Sequence, residues 1–148
     1  MRATNGSTGV GSFGFARAVT AKTSNYTVLN TDTGTTFTNT GAAGTVNFTL
    51  PTAAAGLWYT FYRDADFTVQ ATAAASTTIR VAGSVSASAG NVTLDAVGSS
   101  VTLIAISTTQ WIAFSSTGTL TVTELFNHDE IFNDPLSDPL LWVRRRAA

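Results

Sequence analysis

Cysteine is absent from this chain, and histidine occurs once, at His128. That excludes a disulfide framework and any thiolate metal site. Charge is scarce too: only 11% of the 148 residues are Asp, Glu, Lys or Arg, and the formal net charge is -1. Ordinary soluble domains carry ~25% charged residues. With no basic field to hold a phosphate backbone, nucleic acid is not expected as a partner. No stretch approaches the ~18 consecutive apolar residues that cross a bilayer as a helix, so no membrane partner is expected. The start, "MRATNGSTGVGSFGFARAVTAK", has no continuous apolar run of the kind a secretion signal needs. "GVGSFG" at residues 9–14 follows no strand and opens no helix, so it makes no phosphate cradle, and no cofactor is expected.

Threonine and alanine are abundant, with 27 and 22 copies. Threonine is β-branched and favours strands, and its hydroxyl also suits turns. Low charge and regularly spaced large apolar residues argue against disorder. Three segments separate by composition. Residues 1–25 are rich in Gly, Ser and Thr and read as an extended N-terminal arm, with Phe13 and Phe15 at strand spacing as anchors. Residues 26–122 form a β-rich body. Residues 123–148 form a docking tail that carries eight of the seventeen formal charges.

The body alternates with period two. "VNFTL" sets Val46, Phe48 and Leu50 on one face and Asn47 and Thr49 on the other, and Pro51 stops the strand. "LWYTFY" (57–62) is apolar on both faces, "FTVQA" alternates from Phe67, and "VTLIAI" and "WIAFS" flank "STTQ" as a hairpin. Strands recurring every ~8–12 residues between Gly- and Asp-bearing turns predict an all-β fold, a compact antiparallel sandwich or barrel of jelly-roll type. A thin, Ala- and Thr-filled sheet of this kind gains stability by burying more surface between subunits.

Groups that carry chemistry are few. His128 sits in "NHDE" beside Asp129, and adjacent side chains point apart in an extended chain, so the pair does not make a catalytic dyad. Asp64 and Asp66 share a face if extended, which is compatible with glycoside hydrolysis or a hard cation. "RDAD" nevertheless lies between two strand-like runs, where Asp is an ordinary turn residue. The tail acids Asp129, Glu130, Asp134 and Asp138 lack the Gly-centred spacing of a calcium loop. No catalytic, cofactor or metal site is therefore expected. Among the aromatics, Trp58, Tyr59, Tyr62 and Trp111 are candidates for a subunit interface, or for stacking against sugar rings.

The tail contains a repeat of period six, "ELFNHD" (124–129) then "EIFNDP" (130–135). An even period restores the same face of an extended chain, and Pro135 and Pro139 oppose a continued helix. Leu125, Phe126, Ile131, Phe132, Leu136, Leu140, Leu141 and Trp142 are too many apolar groups for a free solvated tail. They call for a surface, which is the body, a neighbouring copy or a different protein. Arg144, Arg145 and Arg146 suit carboxylates at the rim of that contact.

The body resembles a β module of tailed-bacteriophage virion proteins, found in head-associated and tail-fibre proteins. The matching stretches are "FTNTGAAGTVNFTLPTAAAGLWYTF" (37–61), "DADFTVQA" (64–71), "TIRVAGSVSASAG" (78–90) and "GSSVTLIAISTTQWIAFSSTGTLTV" (98–122). Their most distinctive parts are the LP-x-A-x-x-G-L turn and the strand pair joined through Gln-Trp. The resemblance implies a non-enzymatic structural protein, commonly trimeric, assembled into a virion in the bacterial cytoplasm. The expected role is a capsid decoration or cement protein, whose arm and tail strap neighbouring copies of the major capsid protein or another virion protein. The alternative is a tail-fibre or baseplate-associated protein that binds host glycans.

Overall fold

The computed structural model describes residues 16–124. Twelve strands lie within them: β1 Val19–Ala21, β2 Tyr26–Thr27, β3 Thr36–Thr38, β4 Val46–Thr49, β5 Trp58–Tyr62, β6 Val69–Thr72, β7 Thr78–Val81, β8 Ser84–Val85, β9 Asn91–Leu94, β10 Ser100–Ala105, β11 Gln110–Thr117 and β12 Leu120–Val122. One 3-10 turn spans Asn30–Asp32. The expected all-β fold is present, and of sandwich and barrel it is two sheets packed together. The five-stranded sheet runs β12-β9-β6-β4-β2 and the seven-stranded sheet β1-β3-β5-β10-β11-β7-β8. Residues 19–21, assigned above to the arm, are instead an edge strand of the body.

The sheets are mixed, not purely antiparallel. β1, β3 and β5 are parallel neighbours in one sheet, and β2, β4 and β6 in the other. From β1 to β7 successive strands lie in alternate sheets, so the chain coils. Val19 pairs with Thr36 and Thr36 with Thr60, while Tyr26 pairs with Phe48. Parallel strands need a crossover, and here the crossover is a strand of the opposite sheet. From β9 onward the chain reverses: β9 runs antiparallel to β6, β10 to β5, β11 to β10 and β12 to β9.

Period-two alternation decides which side chains enter the core. Val46, Phe48 and Leu50 are buried, as are Val69 and Ala71, Val92 and Leu94, and Val101, Leu103 and Ala105. Phe37 packs on Phe48 and Phe61 at ring-centroid distances of 5.2 and 5.8 Å, and Tyr26 lies 5.6 Å from Phe37. Each fully buried phenylalanine contributes about 1.5–3 kcal/mol by area. Three polar ties close the ends of the sandwich. Asn39, fully buried, accepts from the amides of Asp64 and Ala65 (2.7 and 2.8 Å) and donates to the Phe67 carbonyl (2.7 Å). Arg63, also buried, donates through Nη1 to the Leu94 carbonyl at 3.1 Å. Asp32 accepts from the Tyr26 hydroxyl (3.0 Å) and the Leu29 amide (2.9 Å), and that bond to the carboxylate holds the Tyr26 hydroxyl pKa above its usual value.

Candidate functional site

The outward parity of the seven-stranded sheet builds the site. Residues paired across strands share a face. Ile104 pairs with both Trp58 and Ile112, and Ile112 pairs with Arg80. These four side chains form one row, apolar in the middle and cationic at the β7 end. At the other end Arg17 lays its guanidinium over the Trp58 ring, 4.7 Å from the centroid. Gly34, whose φ of +87 suits glycine, lies beside the same ring. The next row is hydroxylic: Ser115, Thr102, Thr60 and Thr36, ending at Val19, with Thr60 and Thr102 joined Oγ1 to Oγ1 at 2.9 Å. Neither row contains a carboxylate.

A β-bulge sharpens this face. Thr102 pairs with Ser115 but Leu103 pairs with Ala113, so Phe114 has no partner across the ladder and is 76% exposed. A bulge re-aims a side chain in this way. Phe114 and the Arg17-capped Trp58 are walls of an open groove of about 330 Å³, with Thr102, Ile104 and Ser115 completing its lining. The outer face of the five-stranded sheet is different: Asn47, Thr49, Gln70, Thr72, Asn91, Thr93 and Thr121 alternate along its strands. Thr72 donates to Asn47 at 2.6 Å and Gln70 to Thr93 at 3.2 Å, so its polar groups largely satisfy one another.

The four aromatic candidates separate. Trp58 and Tyr62 reach the outer face, Tyr62 at 37% exposure. Tyr59 and Trp111 do not: both are fully buried with ring centroids 5.7 Å apart, so neither can serve a subunit interface or stack on a sugar. They occupy the inward parity of their strands. The Tyr59 hydroxyl donates to the Leu29 carbonyl at 3.0 Å, and burial, aided by the Asp32 charge, pushes its pKa up to about 12. Asp64 accepts from Thr40 at 2.8 Å and Asp66 lies 3.7 Å from Arg63, so "RDAD" is a turn tied into the fold. Among the described residues no three His, Asp or Glu side chains gather to hold a metal.

The tail candidates Leu125, Phe126, Ile131, Phe132, Leu136, Leu140, Leu141, Trp142, Arg144, Arg145 and Arg146 lie outside the described residues, as does His128. The chain reaches them at Glu124, which bridges Ser86 beside β8, an edge of the seven-stranded sheet. Arg17, Arg80, Ile104, Ile112 and Phe114 are the residues that sequence reasoning missed. One signal was available: "VTLIAI" carries large apolar residues on both parities, Val101 and Leu103 on one and Ile104 and Ile106 on the other, which a strand with one solvated face does not need. A scan of this sequence against protein-family models finds no match, and a search of curated proteins finds none either.

Proposed function

We propose that this is a non-enzymatic structural protein of a tailed-phage virion, a decoration protein that fastens neighbouring capsid subunits, most economically as a trimer. One observation carries the reading: the described chain begins and ends at sheet edges, β1 at one edge of the seven-stranded sheet and β12 at one edge of the five-stranded sheet, with Glu124 bridging Ser86 beside β8. Arm and tail thus depart from edges of the sandwich, where straps can leave it for a neighbour. The sequence resemblance and the exposed apolar row support the same reading. Weak contacts from several straps multiply, because an arm that lets go rebinds locally.

The test ends the chain after Glu124, keeping the backbone bonds that Thr123 makes with Ala87 and Asn91. The expected result is a folded β-body that no longer co-sediments with particles bearing the full-length protein. Undiminished sedimentation would remove the tail from the mechanism. The glycan-binding alternative draws on the groove, where an indole, a phenyl ring, two hydroxyls and a guanidinium converge. Binding on a glycan array that Phe114→Ala abolishes would favour it over capsid docking.

A further inference from the structure

We propose that the outer row of the seven-stranded sheet is the seat of this chain's own segment Glu130–Asp134, which stows the tail while the protein is free in solution. The inference goes beyond the docking reading, since it concerns the chain away from any particle. Three observations converge on it.

The first is chemical. The row reads cation, isoleucine, isoleucine, tryptophan, cation: Arg80, Ile112, Ile104, then Trp58 beneath Arg17. The segment "EIFND" is its complement, with the carboxylates of Glu130 and Asp134 flanking Phe132 at every second residue. Charge-assisted bonds from arginine to carboxylate at both ends, with apolar contact between, fix the segment's register on the row.

The second is length. From β7 to β5 is three inter-strand spacings, about 14 Å. Four residues of extended chain, the separation of Glu130 from Asp134, cover about 13 Å. A segment laid along the row therefore brings its two carboxylates to the two guanidinium groups, and seats Phe132, which shares their face of an extended chain, over the isoleucines.

The third is where the chain ends. Glu124 bridges Ser86, and Arg80 pairs with Val85, the residue before it. The last described residue is thus about two spacings, ~10 Å, from Arg80. Six residues separate Glu124 from Glu130 and reach about 20 Å. The tail arrives at the Arg80 end, so Glu130 meets Arg80 and Asp134 meets Arg17. A short linker that spans its gap gives a millimolar effective concentration, which favours a chain's own tail over a neighbour's. Stowage also shelters Phe132, which a solvated tail leaves in water.

The chain has no cysteine, so an introduced pair can be cross-linked cleanly in the full-length protein with no particle present. Asn133→Cys is combined with Ser115→Cys beside the row, or with Gln70→Cys on the opposite sheet as control. A short bismaleimide is then added at low protein concentration. The expected result is within-chain linkage about tenfold greater for the Ser115 pair than for the Gln70 pair. Arg80→Glu should lower that yield severalfold, and Glu130→Lys added to it should restore it. Equal yields from the two pairs, linkage mainly between chains, or no response to Arg80→Glu would each overturn the proposal. Particle binding is not read in this experiment, so its failure is distinguishable from failure of the docking reading.

Discussion

Asn39 shows how much one side chain can hold. It is wholly buried and satisfies two backbone amides and a carbonyl in the turn between β5 and β6. Asn39→Ala leaves those groups without partners, and each buried orphan costs about 1–3 kcal/mol. The expected loss is roughly 3 kcal/mol, read as a shift in the urea midpoint. In the sequence this residue looks like turn punctuation, because nothing local reveals that "TNTG" will meet "RDAD". Tyr59 gives a pH prediction. Its hydroxyl pKa in the folded chain is about 12, against ~10 when unfolded. Between these values the native state holds a proton that the unfolded state releases, so stability falls as pH rises through that window and is unaffected by this group below it. Urea midpoints at pH 9 and pH 11.5 should diverge. Tyr59→Phe should flatten the part of the slope that this residue supplies, while lowering stability at both pH values through loss of the bond to Leu29.

At the scale of elements, the strands were legible and their partners were not. Alternation placed β4, β6, β10 and β11, and Pro51 ends its strand as expected, because each of these signals is local. Which sheet a strand joins depends on where the chain crosses the sandwich, and "TFT" at β3 pairs in parallel with β1 and β5 without any local sign. The bulge at Phe114 was hidden for a related reason: it exists only relative to β10. The β11–β12 turn allows a sharp test. Gly118 has φ +85, and a Cβ there would lie 2.5 Å from Ser99 Oγ and 2.8 Å from its Cα. Backbone strain of about 1–2 kcal/mol adds to that overlap. Gly56 has φ +100 with nothing within 4 Å, so it isolates the strain alone. Gly118→Ala should therefore lower stability by roughly 3 kcal/mol and Gly56→Ala by about 1 kcal/mol. Equal losses in thermal or urea melts would show that Ser99 yields and the turn is not tightly packed.

The path of the whole molecule determines how it comes apart. Side-chain bonds join residues that are distant in sequence: Arg63 to Leu94, Tyr59 to Leu29 and, within the seven-stranded sheet, Thr60 to Thr102. A strand of the five-stranded sheet cannot leave without releasing the strands before and after it, which belong to the other sheet. The two sheets therefore form one cooperative unit, although composition alone gives no reason to prefer this over a stack of separable hairpins. Urea unfolding is expected to be two-state, with far-UV circular dichroism and tryptophan emission giving one midpoint, the emission following exposure of Trp111, which is fully buried between the sheets. The same long-range pairing makes folding slow, in the range of milliseconds to seconds at this size, because loop closure precedes most of the favourable contact. A second transition at lower urea, seen by dichroism but not by emission, would mean that part of the woven body opens independently. The seven-stranded sheet, which carries Arg80, Ile104, Ile112 and Phe114, would then not present them as one fixed surface.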